Sequence, residues 1–112
     1  MDIQVSEQVI RIHVIKMNGR LDAFSVKALR SKLDELTRQG GIHFVLDLAD
    51  VSFMDSAGLA AMVSLLRQVQ PLGGTVKLVR ATEANANRVL TLTKMDRAFP
   101  IFDNSAAALA VV

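Results

Sequence analysis

The chain has 112 residues, enough for one domain around a single core, here taken as residues 1–112. Its hydrophobic share is 51% without a Trp, Tyr or Cys, so the core is aliphatic, and disulfides, thiol nucleophiles and thiolate metal sites are excluded. A net charge of +2 carried by scattered Lys and Arg gives no reason to expect direct nucleic-acid binding, and no apolar run approaches the roughly 18 residues of a membrane span. Met1-Asp2-Ile3-Gln4 lacks a basic region followed by an apolar one, so no signal peptide is read and a cytoplasmic location is expected.

Ile10, Ile12 and Val14 alternate with Arg11 and His13, the period of a strand with one buried face. A shorter strand at Ile3–Val5 is expected to join it through a turn at Ser6-Glu7-Gln8, and Asn18-Gly19 to break it. Asp22 is a suitable N-cap for a helix running through Gln39, with Val26, Leu29, Leu33 and Leu36 at helical spacing. Gly40-Gly41 ends that helix. The apolar run Ile42–Leu48 is a central strand in which Val45, Leu46 and Leu48 should be deeply buried. A short loop follows, then a helix from about Ala57 to Gln70, closed by Pro71 and Gly73-Gly74. Thr75–Val79 is a strand. A third helix starts at Thr82 or Glu83, with Ala86, Val89 and Leu92 at helical offsets. Phe99–Phe102 is a short extended piece, and a final short helix from Ser105 is expected to dock through Leu109. Strands alternating with helices make this an α/β fold: a mixed, mostly parallel sheet of four to five strands with about four helices.

Within this pattern the run from Val45 through Asp55-Ser56-Ala57-Gly58-Leu59 carries the most information. It places a serine hydroxyl at the first turn of a helix, among N–H groups without partners in the helix. That position suits a cap and also suits a phosphate, because the donors and the positive end of the dipole point at it. Asp55 is either a competing cap or a residue that orients the serine. The run resembles the signature of the STAS domain, in particular the anti-sigma factor antagonists. In that family the serine of a D-S-(S/A)-G-L motif is phosphorylated, and Ser56 matches it. Asn18-Gly19-Arg20-Leu21-Asp22 is similar to the family's G-x-L-D turn, and Arg88-Val89-Leu90 and Phe99–Phe102 resemble its C-terminal pattern, so the likeness covers nearly the whole chain. Ala57 stands where many members carry a second hydroxyl. The resemblance implies a phosphorylation-switched binding protein rather than an enzyme. Unphosphorylated, it would sequester an anti-sigma factor that is also a serine kinase of histidine-kinase-like ATPase fold, and a PP2C-type phosphatase would reset it. It also places the Asp22 turn beside the Ser56 loop.

The helix after Ser56 sharpens the expected contact. Leu59, Met62, Val63 and Leu66 share one side, expected to face the core. Ala57, Ala61, Ser64 and Gln68 lie opposite, with Leu65 at the border, and Arg67 is the only charge. A small, uncharged face lets a partner approach without stripping water from ions. Met54, Ala57, Ala61 and Leu65, with Asn18 and Gly19 nearby, are therefore the expected partner-binding residues. Asp22, Asp55 and Gly58 shape the site, Gly58 by leaving clearance beside Ser56. No cofactor, metal or catalytic residue is expected. There is no G-x-S-x-G elbow, no phosphate loop and no ligand-spaced cluster, and His13 and His43 stand alone on strands. The alternative is an unphosphorylated STAS module serving a transporter or sensory complex.

Overall fold

The computed structural model describes residues 1–111. Four strands form one sheet in the order of the chain: β1 (His13–Leu21), β2 (His43–Met54), β3 (Thr75–Val79) and β4 (Ile101–Phe102). All three pairings are parallel. Between them run α1 (Val26–Arg38), α2 (Ser56–Val69) and α3 (Ala84–Leu92), and α4 (Ser105–Ala110) follows β4. Two short 3-10 turns, Gln70–Leu72 and Met95–Arg97, complete the connections.

The topology dictates the layering. Right-handed crossovers between successive neighbours put every connecting helix on the same face of the sheet. Accordingly Phe44, Leu46, Leu48, Val76 and Leu78 form one core with Val26, Leu29 and Leu33 of α1, Leu59, Met62 and Leu65 of α2, and Ala86 and Leu90 of α3. The opposite face is left to α4, whose Ala108 packs on Val45 and Val79 with Ala49 and Phe102 at the edge. Where β2 and β3 are covered on both sides, Phe44–Leu48 and Val76–Val79 form continuous buried runs rather than alternating ones. Val45, Leu46 and Leu48 are sealed as expected. Docking of the last helix rests on Ala108, fully buried, and not on Leu109, which is 42% exposed.

Lys77 belongs to that second face. Its ammonium is buried beneath α4, donates to the carbonyl oxygens of Ala108 (3.1 Å) and Val111, and lies 5.8 Å from the centre of the Phe102 ring. A cation at the C-terminal end of a helix meets both unpaired carbonyls and the negative end of the dipole. Asp47, the other buried charge, accepts from the Ala49 N–H at 3.0 Å.

Two local expectations change. Residues 1–12 contain neither the Ile3–Val5 strand nor a turn. Instead β1 starts at His13 and runs through Asn18-Gly19 without breaking. Register shifts between Lys16 and Asn18 and between Gly19 and Arg20 absorb the irregularity, and Gly19 takes φ +89, which L side chains rarely adopt. Strand β2 likewise continues past Leu48 to Met54, so only Asp55 separates it from α2.

Candidate functional site

The C-terminal ends of β1 and β2 bring the two singled-out segments together. Leu21 pairs with Met54 in the register, Arg20 with Phe53, Gly19 with Val51 and Asn18 with Asp50. The Asp55 N–H donates to the Leu21 carbonyl at 3.3 Å, tying the start of α2 to the end of β1. The open C-terminal edge of a parallel sheet is where loops gather in α/β folds and where ligands most often bind.

Asp55 is the N-cap of α2. Its backbone is extended, and its Oδ1 accepts from the Ala57 N–H (2.9 Å) and the Gly58 N–H (3.4 Å). Ser56 is thus the first helical residue rather than the cap. It is exposed, and among the described residues its Oγ takes part in no hydrogen bond. The capping carboxylate also occupies two of the N–H donors expected to be free for a phosphate.

The neighbouring turn is built differently. Asp22 Oδ1 accepts from the N–H groups of Phe24 and Ser25, both at 3.0 Å. Ser25 Oγ donates to the Arg20 carbonyl at 2.6 Å and accepts from the Asp22 N–H at 2.9 Å. The Ser25 backbone bond, with further help from Phe24, the Ser25 hydroxyl and the Arg20 charge, holds the Asp22 carboxyl below its ordinary 3.8. Arg20 approaches Asp22 Oδ2 at 3.7 Å, and its guanidinium sits 4.3 Å from the centre of the Phe53 ring. Helix α1 begins only at Val26, four residues after the expected cap.

Gly58 is buried, and its role is inward. A Cβ there would lie 2.8–2.9 Å from Leu21 Cγ and Cδ2 and from Met54 Cγ. The missing side chain lets α2 lie against the ends of β1 and β2; it does not open clearance outside Ser56 as the sequence suggested.

The expected partner face is also redrawn. Met54, Ala61 and Leu65 are 3%, 2% and 3% exposed. Ala61 and Leu65 belong to the same core as Leu33 of the neighbouring α1, so small residues here serve helix–helix approach within the chain. Asn18 and Gly19 are exposed and Ala57 is half-exposed. The surface of α2 consists of Ser56, Ala60, Ser64, Arg67 and Gln68. Sequence reasoning missed Phe24, which is 87% exposed in the Asp22 turn. Its only sequence signal is an aromatic placed between a cap aspartate and a helix. Among the described residues no group of three or more His, Asp or Glu could hold a metal ion, and no helix is long and apolar enough to cross a membrane.

This arrangement has close counterparts. The STAS domain family model matches residues 1–108. The anti-sigma-B factor antagonist of Bacillus subtilis is 35% identical over 82 residues, covering 73% of this chain and 72% of that protein. The anti-sigma F factor antagonist of Paenibacillus polymyxa is 27% identical over 97% of this chain and 94% of its own. The crystal structure of an anti-sigma factor antagonist from Mycobacterium paratuberculosis superposes with a TM-score of 0.81 at 24% identity, covering 95% of this chain and 89% of that one. SpoIIAA, solved in unphosphorylated and phosphorylated forms, gives a TM-score of 0.71 at 23% identity over 95% of this chain and 96% of its own in each form. With nearly its whole length matched and the Asp22 turn seated beside the Ser56 loop, the chain belongs to the STAS domain family.

Proposed function

We propose that this chain is an anti-sigma factor antagonist whose binding is switched by phosphorylation of Ser56. The observation that carries the reading is the state of that serine: exposed, first in its helix, its hydroxyl unspent because Asp55 already caps α2. Unphosphorylated, the chain binds an anti-sigma factor that is a serine kinase of histidine-kinase-like ATPase fold. The contact surface is the exposed one: Asn18, Gly19, Phe24, Ser56, Ala60 and Ser64. Phe24 supplies the aromatic anchor that such surfaces favour, and the uncharged α2 residues let the partner come close.

Phosphate on Ser56 adds about −1.5 to −2 charges at neutral pH. The positive end of α2 tolerates that charge, so the fold persists. A docked partner, however, would have to desolvate the dianion or oppose it, at a cost of several kcal/mol. The complex then dissociates without either protein refolding, and a PP2C-type phosphatase restores binding. The chain itself acts as substrate and ligand, not as a catalyst.

Incubation with the cognate kinase and ATP, followed by intact-mass spectrometry and fragment mapping, tests this directly. One phosphate is expected, on Ser56, with loss of co-elution with the kinase. Ser56→Ala is expected to remain unmodified and bound. Phosphate on Ser52 or Ser64 with Ser56 unmodified would overturn the mechanism.

A further inference from the structure

The charges flanking the exposed side of α2 are mainly of one sign. Lys27 and Arg30 of α1 are exposed, and Arg30 lines a notch between α1 and α2 with Leu33, Asp34, Ser64 and Gln68. Lys27, three residues earlier, lies on the same shoulder of α1. Across the notch runs the outer ridge of α2: Ser56, Ala60, Ser64 and Arg67, all exposed. Their spacing of three and four residues keeps them on one side of the helix. Arg67 stands about 16 Å along the axis from Ser56.

Several exposed cations elsewhere are matched within the chain: Lys16 with Asp50 at 3.8 Å, Lys32 with Glu35 at 3.6 Å and Arg80 with Asp103 at 3.4 Å. Among the described residues Lys27, Arg30 and Arg67 belong to no ion pair. The carboxylates nearest Ser56 are already engaged. Asp22 faces Arg20 at 3.7 Å and accepts from the Phe24 and Ser25 N–H groups. Asp55 accepts from the Ala57 and Gly58 N–H groups. The strip from Lys27 to Arg67 therefore carries three unmatched cations against one exposed carboxylate, Asp34.

A partner seated on Ser56, Ala60 and Ser64 borders all three cations. Desolvating them is costly unless the partner supplies the opposite charge. We infer that the partner presents an acidic surface to the strip of Lys27, Arg30 and Arg67, and that this strip steers their encounter. The inference rests on the reading of Ser56 as the switch and adds the chemistry of the surface that meets it. Charges at the rim of a contact act mainly on the association rate and on its dependence on salt. Their field reaches about 8 Å at physiological ionic strength and further in dilute salt. It also gives the phosphate a second effect. About −1.5 to −2 charges on Ser56 offset the excess of cations on the strip, so modification slows the approach of the partner as well as opposing the docked complex.

Stopped-flow association of the full chain with the kinase that phosphorylates Ser56, without nucleotide and from about 50 to about 500 mM salt, tests it. The association rate is expected to fall about tenfold or more over that range while the dissociation rate changes little. Lys27→Glu/Arg30→Glu alters only exposed side chains. It is expected to slow association about tenfold in dilute salt, to flatten the salt dependence and to leave the circular-dichroism spectrum unchanged. Arg67→Glu is expected to act in the same direction by a smaller factor. An association rate that ignores both salt and the reversed charges, with Ser56 still phosphorylated, overturns the inference and leaves the switch standing. Strip-dependent binding to vesicles of anionic lipid, with kinase association unaffected by the variants, overturns it likewise. Absence of phosphate on Ser56 by mass spectrometry overturns both.

Discussion

Two helices of this molecule start beside an aspartate and a serine, and they use them in opposite ways. At α1, Asp22 and Ser25 bond to each other and to the backbone, and the Ser25 hydroxyl is committed to the Arg20 carbonyl. At α2, Asp55 caps alone through Ala57 and Gly58, and the adjacent Ser56 hydroxyl is left over. One serine is part of the architecture; the other is available for chemistry. A helix start therefore does not by itself mark a modifiable serine. What distinguishes Ser56 from Ser25 is a neighbour, Asp55, that has already met the backbone's needs.

The largest expected effect breaks the α2 start through packing. Replacing a helical Gly by Ala ordinarily stabilises by up to about 1 kcal/mol. Gly58→Ala is expected to do the reverse, because its Cβ would meet Leu21 and Met54 at under 3 Å. A loss of about 1–3 kcal/mol should appear as a lower urea midpoint with an unchanged slope. A gain in stability would mean that β1 and β2 yield easily at their ends.

A pair of serine substitutions sharpens the contrast at intermediate size. Ser25→Ala removes bonds to the Arg20 carbonyl and the Asp22 N–H and is expected to cost about 1–2 kcal/mol. Ser56→Ala removes none and should stay within about 0.5 kcal/mol of the parent. Equal losses in parallel thermal melts would erase the distinction between the two serines.

The smallest effect is the pH response of the Asp22 turn. Its carboxyl is held below 3.8 in the folded chain, so the ionised form is the one that folding favours. Its contribution is present above pH 3.8 and is lost as the pH falls through the lowered folded value. Solvent screening keeps it small. The Phe24 and Ser25 amide resonances should shift together in that acidic window, and in Asp22→Asn they should not.

How much of this was legible before folding depended on what each residue had to meet. The runs Phe44–Leu48 and Thr75–Val79 were readable because a strand covered on both faces is mostly apolar, with Asp47 and Lys77 as the buried charges among them. The place of Ser56 between a strand end and a helix start was readable from the apolar run before it and the helical spacing after it, while its role came only from the resemblance to the family's motif. The faces of α2 were not. Ala61 is small because α1 approaches it, and a small residue looks the same in a sequence whether its close neighbour is another protein or another helix of the same chain. Asn18-Gly19 likewise signals an irregularity without saying whether the strand stops or bulges, since that is decided by β2 running alongside. Phe24 was passed over because hydrophobicity favours the interior, and only the hydrogen-bonded Asp22 turn holds it outside.

Strand order that follows chain order has a consequence for biosynthesis. Each βα unit emerging from the ribosome can settle beside the one before it, so the sheet grows at a single moving edge without waiting for distant sequence. Only α4 must cross to the other face, and its last carbonyls are what Lys77 is bonded to. Until α4 is translated, the Lys77 ammonium has no partner there and Val45 and Val79 lack the cover of Ala108. The nascent domain thus remains incompletely sealed on one side until α4 has been made.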